Sequence, residues 1–146
     1  MRPRPRRRGG FSLAELLLIM VLIGILAGVA VPSMRKAVDQ ADAAKVMTDV
    51  RNVTLAVRQY MEANSGALPA SAAWGAIPPA LTEYLPEASA FTYKSLSYRV
   101  VTQRARGTTR LIIRYPRQDP IGMALRKFTN ADITWTNTRL TVWIVD

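Results

Sequence analysis

From Leu16 to Val31 no charged or strongly polar residue interrupts the chain, and between Phe11 and Val31 the one charge is Glu15. A helix over those 21 residues spans roughly 30 Å, the thickness of a bilayer's hydrocarbon core. Residues 11–32 therefore read as a membrane-crossing helix. Pro32 lacks an amide hydrogen and is expected to kink or weaken it nearby. Beyond Pro32 the pattern becomes one-faced. Val46, Val50, Val53, Val57 and Tyr60 recur at intervals of three and four, with Ala43, Met47, Thr54 and Met61 beside them and charged residues around them. This is an amphipathic helix over residues 33–64, stopped by Asn64-Ser65-Gly66. The two segments join into one helix from about residue 12 to 64, roughly 80 Å long. A coiled coil would show a similar stripe, but the broad, alanine-rich face fits packing on a sheet better.

Residues 65–91 hold four prolines and many alanines and read as a connecting loop. A short helix is expected at Pro79 to Tyr84, with proline in its first turn, and Trp74 and Tyr84 are expected to pin the loop to the core. Alternation then takes over. Leu96, Tyr98 and Val100 interleave with Ser95, Ser97 and Arg99 in residues 92–102; Leu111, Ile113 and Tyr115 interleave with Arg110, Ile112 and Arg114 in residues 108–115. The joint at 103–107 makes these a hairpin, and residues 133–135 and 139–145 make a second one around Thr136-Asn137-Thr138. Leu140, Val142 and Ile144 should face the helix, and Met123 to Lys127 should add a helical turn. The expected fold class is α+β: a long N-terminal helix, its second half packed on a four-stranded antiparallel sheet within residues 92–146.

Charge divides the chain in the same way. The net charge is +10. Residues 1–10 carry five arginines and no acid, residues 11–64 balance at five of each sign, and residues 65–146 carry ten basic and five acidic groups. The arginines before the apolar run predict a cytoplasmic N-terminus and a translocated head. There is no cysteine and no histidine, which removes disulfides, thiolate chemistry and the commonest general base and metal ligand. No acid pair, nucleophile–base set or phosphate loop stands out, so an enzyme is not expected and no cofactor is implied.

Three fates are open to the N-terminal segment. It could stay whole as a single-pass anchor. It could be a secretory signal cut after Ala30, where Gly28-Val29-Ala30 supplies small residues, releasing a soluble periplasmic binding protein; Glu15 in the apolar region argues against that. Or it could be cut ahead of the apolar run, between Gly10 and Phe11, where Gly9-Gly10 offers a flexible backbone without side chains. The basic leader 1–10, Gly10, Phe11, Glu15 and the apolar run to Pro32 together resemble the signal of type IV pilins and type II secretion pseudopilins. That resemblance implies a prepilin peptidase that cuts after Gly10 and methylates the new N-terminus, Phe11. It implies assembly through residues 11–32, on an inner-membrane platform, into a helical filament with other copies or other pilin subunits. It also implies that Glu15 pairs with the N-terminal amine of a neighbour and that the helix loosens between Gly24 or Gly28 and Pro32 on assembly. A carboxylate left unpaired at a helix centre in the bilayer costs roughly 2.5–3.5 kcal/mol on the lenient scale, so such a pair would set register.

Gly24 and Gly28 form a small-xxx-small pair that equally suits close helix packing. The resemblance places the product in the inner membrane, then in an extracellular pilus or a periplasmic pseudopilus. Many family members staple the last loop with a disulfide, which this chain cannot. Asp119, Asn130, Asp132 and Asp146 are the acids and amides that could gather near that loop; the loop after Asp119-Pro120-Ile121-Gly122 lacks the remaining oxygen donors that calcium needs, and a turn-forming role for Asp119 is the simpler expectation. Arg99, Arg104, Arg106, Arg110, Arg114 and Arg117 gather on the first hairpin. Arg104, Arg106, Arg110 and Arg114 in particular offer salt-dependent contact to DNA, as in competence pilins; a solvated face, or contact to acidic groups of neighbouring subunits, would use the same residues.

Overall fold

The computed structural model describes residues 10–86, 89–128 and 130–145. Residues 1–9, 87–88, 129 and 146 lie outside the described residues, and with them most of the expected basic leader 1–10 and Asp146. The chain divides into two compact units, one ending at Val38 and one starting at Asp39.

A single helix, α1 (Leu13–Ala63), supplies the first unit and opens the second. In the first unit its apolar side chains are exposed all round: Leu18, Ile23, Ile25 and Leu26 each show at least 60% of their surface. In the second unit it is one-faced. Ala43, Val46, Val50, Val53, Ala56 and Val57 are buried, which is the stripe read from the sequence with Ala56 added. The helix ends where Ser65 and Gly66 take positive φ (54° and 82°). Gly66 N–H returns to the Met61 carbonyl at 2.8 Å and Asn64 Nδ2 donates to the Tyr60 carbonyl at 2.8 Å, satisfying carbonyls of the last turn.

The sheet has five strands where the alternation suggested four. They are β1 (Thr92–Tyr93), β2 (Leu96–Gln103), β3 (Thr108–Arg114), β4 (Ile133–Trp135) and β5 (Arg139–Val145), all antiparallel in the order β1-β2-β3-β5-β4. The additional strand arises because the stretch 92–102 is not continuous: the chain reverses at Lys94, where φ is +51°, and Tyr93 pairs with Leu96. Beyond β1 the edge of β2 is covered by the loop. Ala72 N–H donates to the Val100 carbonyl, Gly75 N–H to the Tyr98 carbonyl, and Ser71 Oγ accepts from Thr102 N–H. Satisfying backbone groups along that edge blunts it against other chains. Tyr84 does pin the loop to α1, its ring edge-on to Tyr60. The short helix expected from Pro79 to Tyr84 is a 3-10 turn, Pro79–Leu81. The inward residues of β2, β3 and β5 (Tyr98, Val100, Leu111, Ile113, Leu140, Val142 and Ile144) form one buried cluster with the apolar stripe of α1.

A short helix, α2 (Pro120–Leu125), follows β3, a few residues ahead of the turn expected at Met123 to Lys127. Asp119 caps it: Oδ1 accepts from Ile121 N–H at 2.9 Å and Gly122 N–H at 3.1 Å, and Ser95 Oγ donates to Oδ2. Gly122 lies against the face of Tyr115. A Cβ built on it would stand 2.4 Å from that ring, and the ring cannot swing away without breaking the 3.1 Å bond from its hydroxyl to the Thr136 carbonyl. Gly122→Ala should therefore lower stability by about 1–3 kcal/mol, the range for overpacking a buried site, read as a fall in the urea midpoint with an unchanged slope.

Asp42 and Asp49 tie α1 to the start of the sheet. Asp42 is buried, and its carboxylate accepts from Tyr93 Oη at 2.8 Å and pairs with Lys94. Asp49 accepts from Tyr98 Oη at 3.1 Å and pairs with Lys45 at 3.4 Å. The hydrogen bond from Lys94, with that from Tyr93, holds the Asp42 carboxyl below its ordinary range against the opposing effect of burial. A depressed carboxyl contributes stability that is complete above the unfolded-state pKa and is lost as pH falls through the lower folded-state value. The stability of the wild-type head should thus decline as pH drops below about 4. Asp42→Asn should be less stable at neutral pH and should lose part of that acid-dependent decline; two parallel stability–pH curves would refute the assignment.

Candidate functional site

The residues singled out by sequence fall at the start of α1 and along its exposed half. Phe11 is 75% exposed and Gly10 is open, with nothing within 4 Å of a Cβ placed there. No described residue covers the backbone at this bond.

Glu15 is not a free acid. Its Oε2 accepts from Ser12 N–H at 2.7 Å, and Ser12 Oγ accepts from Glu15 N–H at 3.2 Å. This reciprocal pair is a capping box: two amides left unbonded at a helix start each find a side-chain oxygen. It also places the negative charge at the positive end of the helix dipole. Ser12-Leu13-Ala14-Glu15 has the Ser-x-x-Glu spacing that is the sequence signal of such a box. Oε1 makes no hydrogen bond among the described residues, which leaves one oxygen to accept a second donor.

Gly24, Gly28 and Pro32 succeed one another at four-residue intervals, and α1 continues through all three. Pro32 cannot donate to the carbonyl four residues back, and that carbonyl belongs to Gly28. The helix therefore lacks a hydrogen bond at the residue where backbone freedom is greatest. A Cβ on Gly24 or Gly28 would meet nothing within 4 Å, so neither glycine is required by packing inside the single chain. The most apolar stretch of α1 is long and apolar enough to cross a membrane, and none of it is buried.

The hairpin arginines differ in what they touch. Arg104 and Arg106 are exposed on the 3-10 turn joining β2 to β3. Arg110 stacks on Trp143, its guanidinium carbon 5.2 Å from the ring centroid, while Arg99 and Arg114 lie over Trp74 at 5.8 and 4.6 Å. Arg99 Nε also donates to the Ala72 carbonyl at 2.9 Å. Trp74 thus fixes the loop through the outer face of the sheet by cation–π contact, where the sequence suggested core packing. Asp119 and Asp132 sit in different places, Asp119 as the cap of α2 and Asp132 ahead of β4.

The capping box carries its own test. Ser12→Ala should weaken the first turn of α1 by about 1 kcal/mol, seen as roughly five-fold faster amide exchange at Leu13 to Glu15 in lipid nanodiscs with the head unaffected.

Residues 5–31 match the family model for the prokaryotic N-terminal methylation motif. Among curated proteins, the chain is 36% identical over 62 residues to type II secretion system core protein G of Klebsiella michiganensis, covering 42% of this chain and 44% of that protein. It is 34% identical over 55 residues to the protein of the same name from Aeromonas hydrophila, covering 38% of each. The matched region spans less than half the length of either relative. No solved structure matches. The methylation motif at the start, the long apolar helix with an antiparallel sheet behind it, and these partial matches together support the type IV pilin and pseudopilin family.

Proposed function

We propose that the chain is a structural subunit of a type IV pilus-like filament. It is made as a prepilin, held in the inner membrane by α1 with its N-terminus cytoplasmic, cut after Gly10 by a prepilin peptidase, methylated at Phe11, and assembled through residues 11–32. The observation that carries this reading is the methylation motif over residues 5–31 on a helix whose apolar side chains are exposed all round. Such a helix is stable only in lipid or among other apolar helices. It does no catalysis of its own.

Glu15 explains how the two environments could be exchanged. In the lone chain its carboxylate is held by Ser12. In a filament Oε1 would accept from the amine of a neighbour's Phe11, a charge-assisted bond in a low-dielectric core. A neighbour one step out of register would leave that amine and carboxylate unmatched. Gly28 and Pro32 would let the helix lengthen or bend where its bonding is already interrupted.

The relatives named as core proteins of type II secretion support a second reading, a pseudopilin in a short periplasmic filament. Loss of protein secretion on deletion, without loss of surface filaments, would select it.

Intact mass and terminal sequencing of membrane-extracted protein test the processing route. The expected mature chain starts at methylated Phe11; a start at Val31 would overturn the proposal. Glu15→Ala is expected to be cut normally and to fall at least about ten-fold in filament incorporation, the loss of one buried charged pair; incorporation at the wild-type level would refute the pairing.

A further inference from the structure

The five strands contain no acidic residue. Arg99, Arg110, Arg114 and Arg139 stand on the outer face of the sheet, because their strand neighbours Tyr98, Val100, Leu111, Ile113 and Leu140 are buried on the inner one and side chains alternate between faces along a strand. Three of the four gather at one end. Arg114 and Arg139 are direct partners across β3 and β5. Arg99 lies diagonally across from Arg114, two residues on from its partner Ser97, and the guanidinium groups of Arg99 and Arg114 lie over the same ring, that of Trp74. Directly opposed side chains have Cβ atoms about 5 Å apart and diagonal ones about 7 Å, and like charges placed opposite one another are destabilising. None of the three has a carboxylate within 4 Å among the described residues. Arg110 is set apart: it stacks on Trp143, and its Nε is buried without a hydrogen bond.

Three cations crowded together without an acid cost the isolated head stability, and the fold fixes two of them there. Trp74 holds Arg99 and Arg114, and Arg99 Nε also donates to the Ala72 carbonyl at 2.9 Å. We infer that Arg99, Arg114 and Arg139 form an anion site whose ligand is a terminal phosphate group. The planar guanidinium fork matches phosphate oxygens bidentately. A phosphate monoester carries about −1.5 to −2 at pH 7, enough to offset most of the opposed charge, whereas a carboxylate brings a single charge. A nucleic-acid strand presents its phosphates in a line and needs a track of cations along its length. Here three arginines meet at one end of the sheet, and Arg110, which would extend the track, is stacked with its Nε buried. The site lies within the sheet alone and does not rest on the filament reading.

The full chain in phosphatidylcholine nanodiscs would be melted in phosphate-free buffer, with sodium phosphate or sodium acetate added at equal ionic strength. Low-millimolar inorganic phosphate should raise the melting temperature of the head saturably, by about 5 °C, and acetate should not. Arg139→Gln removes one of the opposed charges without touching the core, since Arg139 is exposed. Without phosphate this variant should melt at or above the wild-type temperature, and with phosphate its rise should be lost. Arg104→Gln, on the turn between β2 and β3, should keep the whole rise. A general salt effect on burial would persist in Arg139→Gln, so a variant that still gains with phosphate would overturn the inference. No rise with phosphate, or an equal rise with acetate, would overturn it as well, and so would a clearly lower melting temperature of Arg139→Gln without phosphate, because the opposed charges would then not be repelling. Discs in which part of the lipid is phosphatidic acid, whose headgroup is a terminal phosphate, separate the two sources of the ligand. A rise without added phosphate that Arg139→Gln abolishes would support the site with a lipid as carrier; a rise with free phosphate alone would support it with a soluble one.

Discussion

A carboxylate at the start of a helix bound for hydrocarbon needs a partner in every environment it visits. That constraint organises the N-terminal half of this chain. Ser12 supplies the partner within the single molecule, and the reciprocal bond satisfies two helix amides as well. The arrangement makes Glu15 tolerable in the membrane without neutralising it. A fully unpaired acid would be costly in the bilayer, and a fully engaged one would have no open oxygen. Among the described residues Glu15 has one oxygen held by Ser12 and one open.

The same helix meets two different solvents. Up to Pro32 it is apolar on all sides, which specifies an environment and no particular face. From Ala43 it presents one buried stripe, which specifies a face and hence a position for the sheet. Pro32 and Gly28 fall between these regimes. A helix with its weakest hydrogen bonding there can change locally without disturbing the core that starts ten residues later.

Much of this was legible from periodicity. Both strands of the last hairpin were located to the residue, because Leu140, Val142 and Ile144 alternate cleanly and Thr136-Asn137-Thr138 is strong turn chemistry. The stripe of α1 was legible for the same reason. What was not legible depended on contacts distant in sequence. β1 exists because Lys94 turns back at positive φ while Asp42, some fifty residues earlier, holds Tyr93 and Lys94; alternation alone makes one strand of the region. The pairing of residues 71–75 with the edge of β2 has no periodic signal, since loop amides bond there without alternating side chains. At the candidate site the misses were local. The Ser12–Glu15 box has a four-residue signature, but it sits at the head of an apolar run, where a membrane-crossing pattern is the stronger signal.

The arginines show how far composition can carry a functional argument. A cluster of six on one hairpin suggests a single cationic surface, and the fold gives its members different contacts. Arg99, Arg110 and Arg114 lie against tryptophans and help hold the outer face of the sheet, leaving Arg104 and Arg106 exposed at the turn. Meanwhile Arg51 and Arg58, unremarkable in a helix whose charges balance, stand beside exposed Leu55 and line one groove with Asp132. The net charge of the head therefore understates how differently its cations are employed. Those stacked on indole rings have a share of their field and surface already engaged.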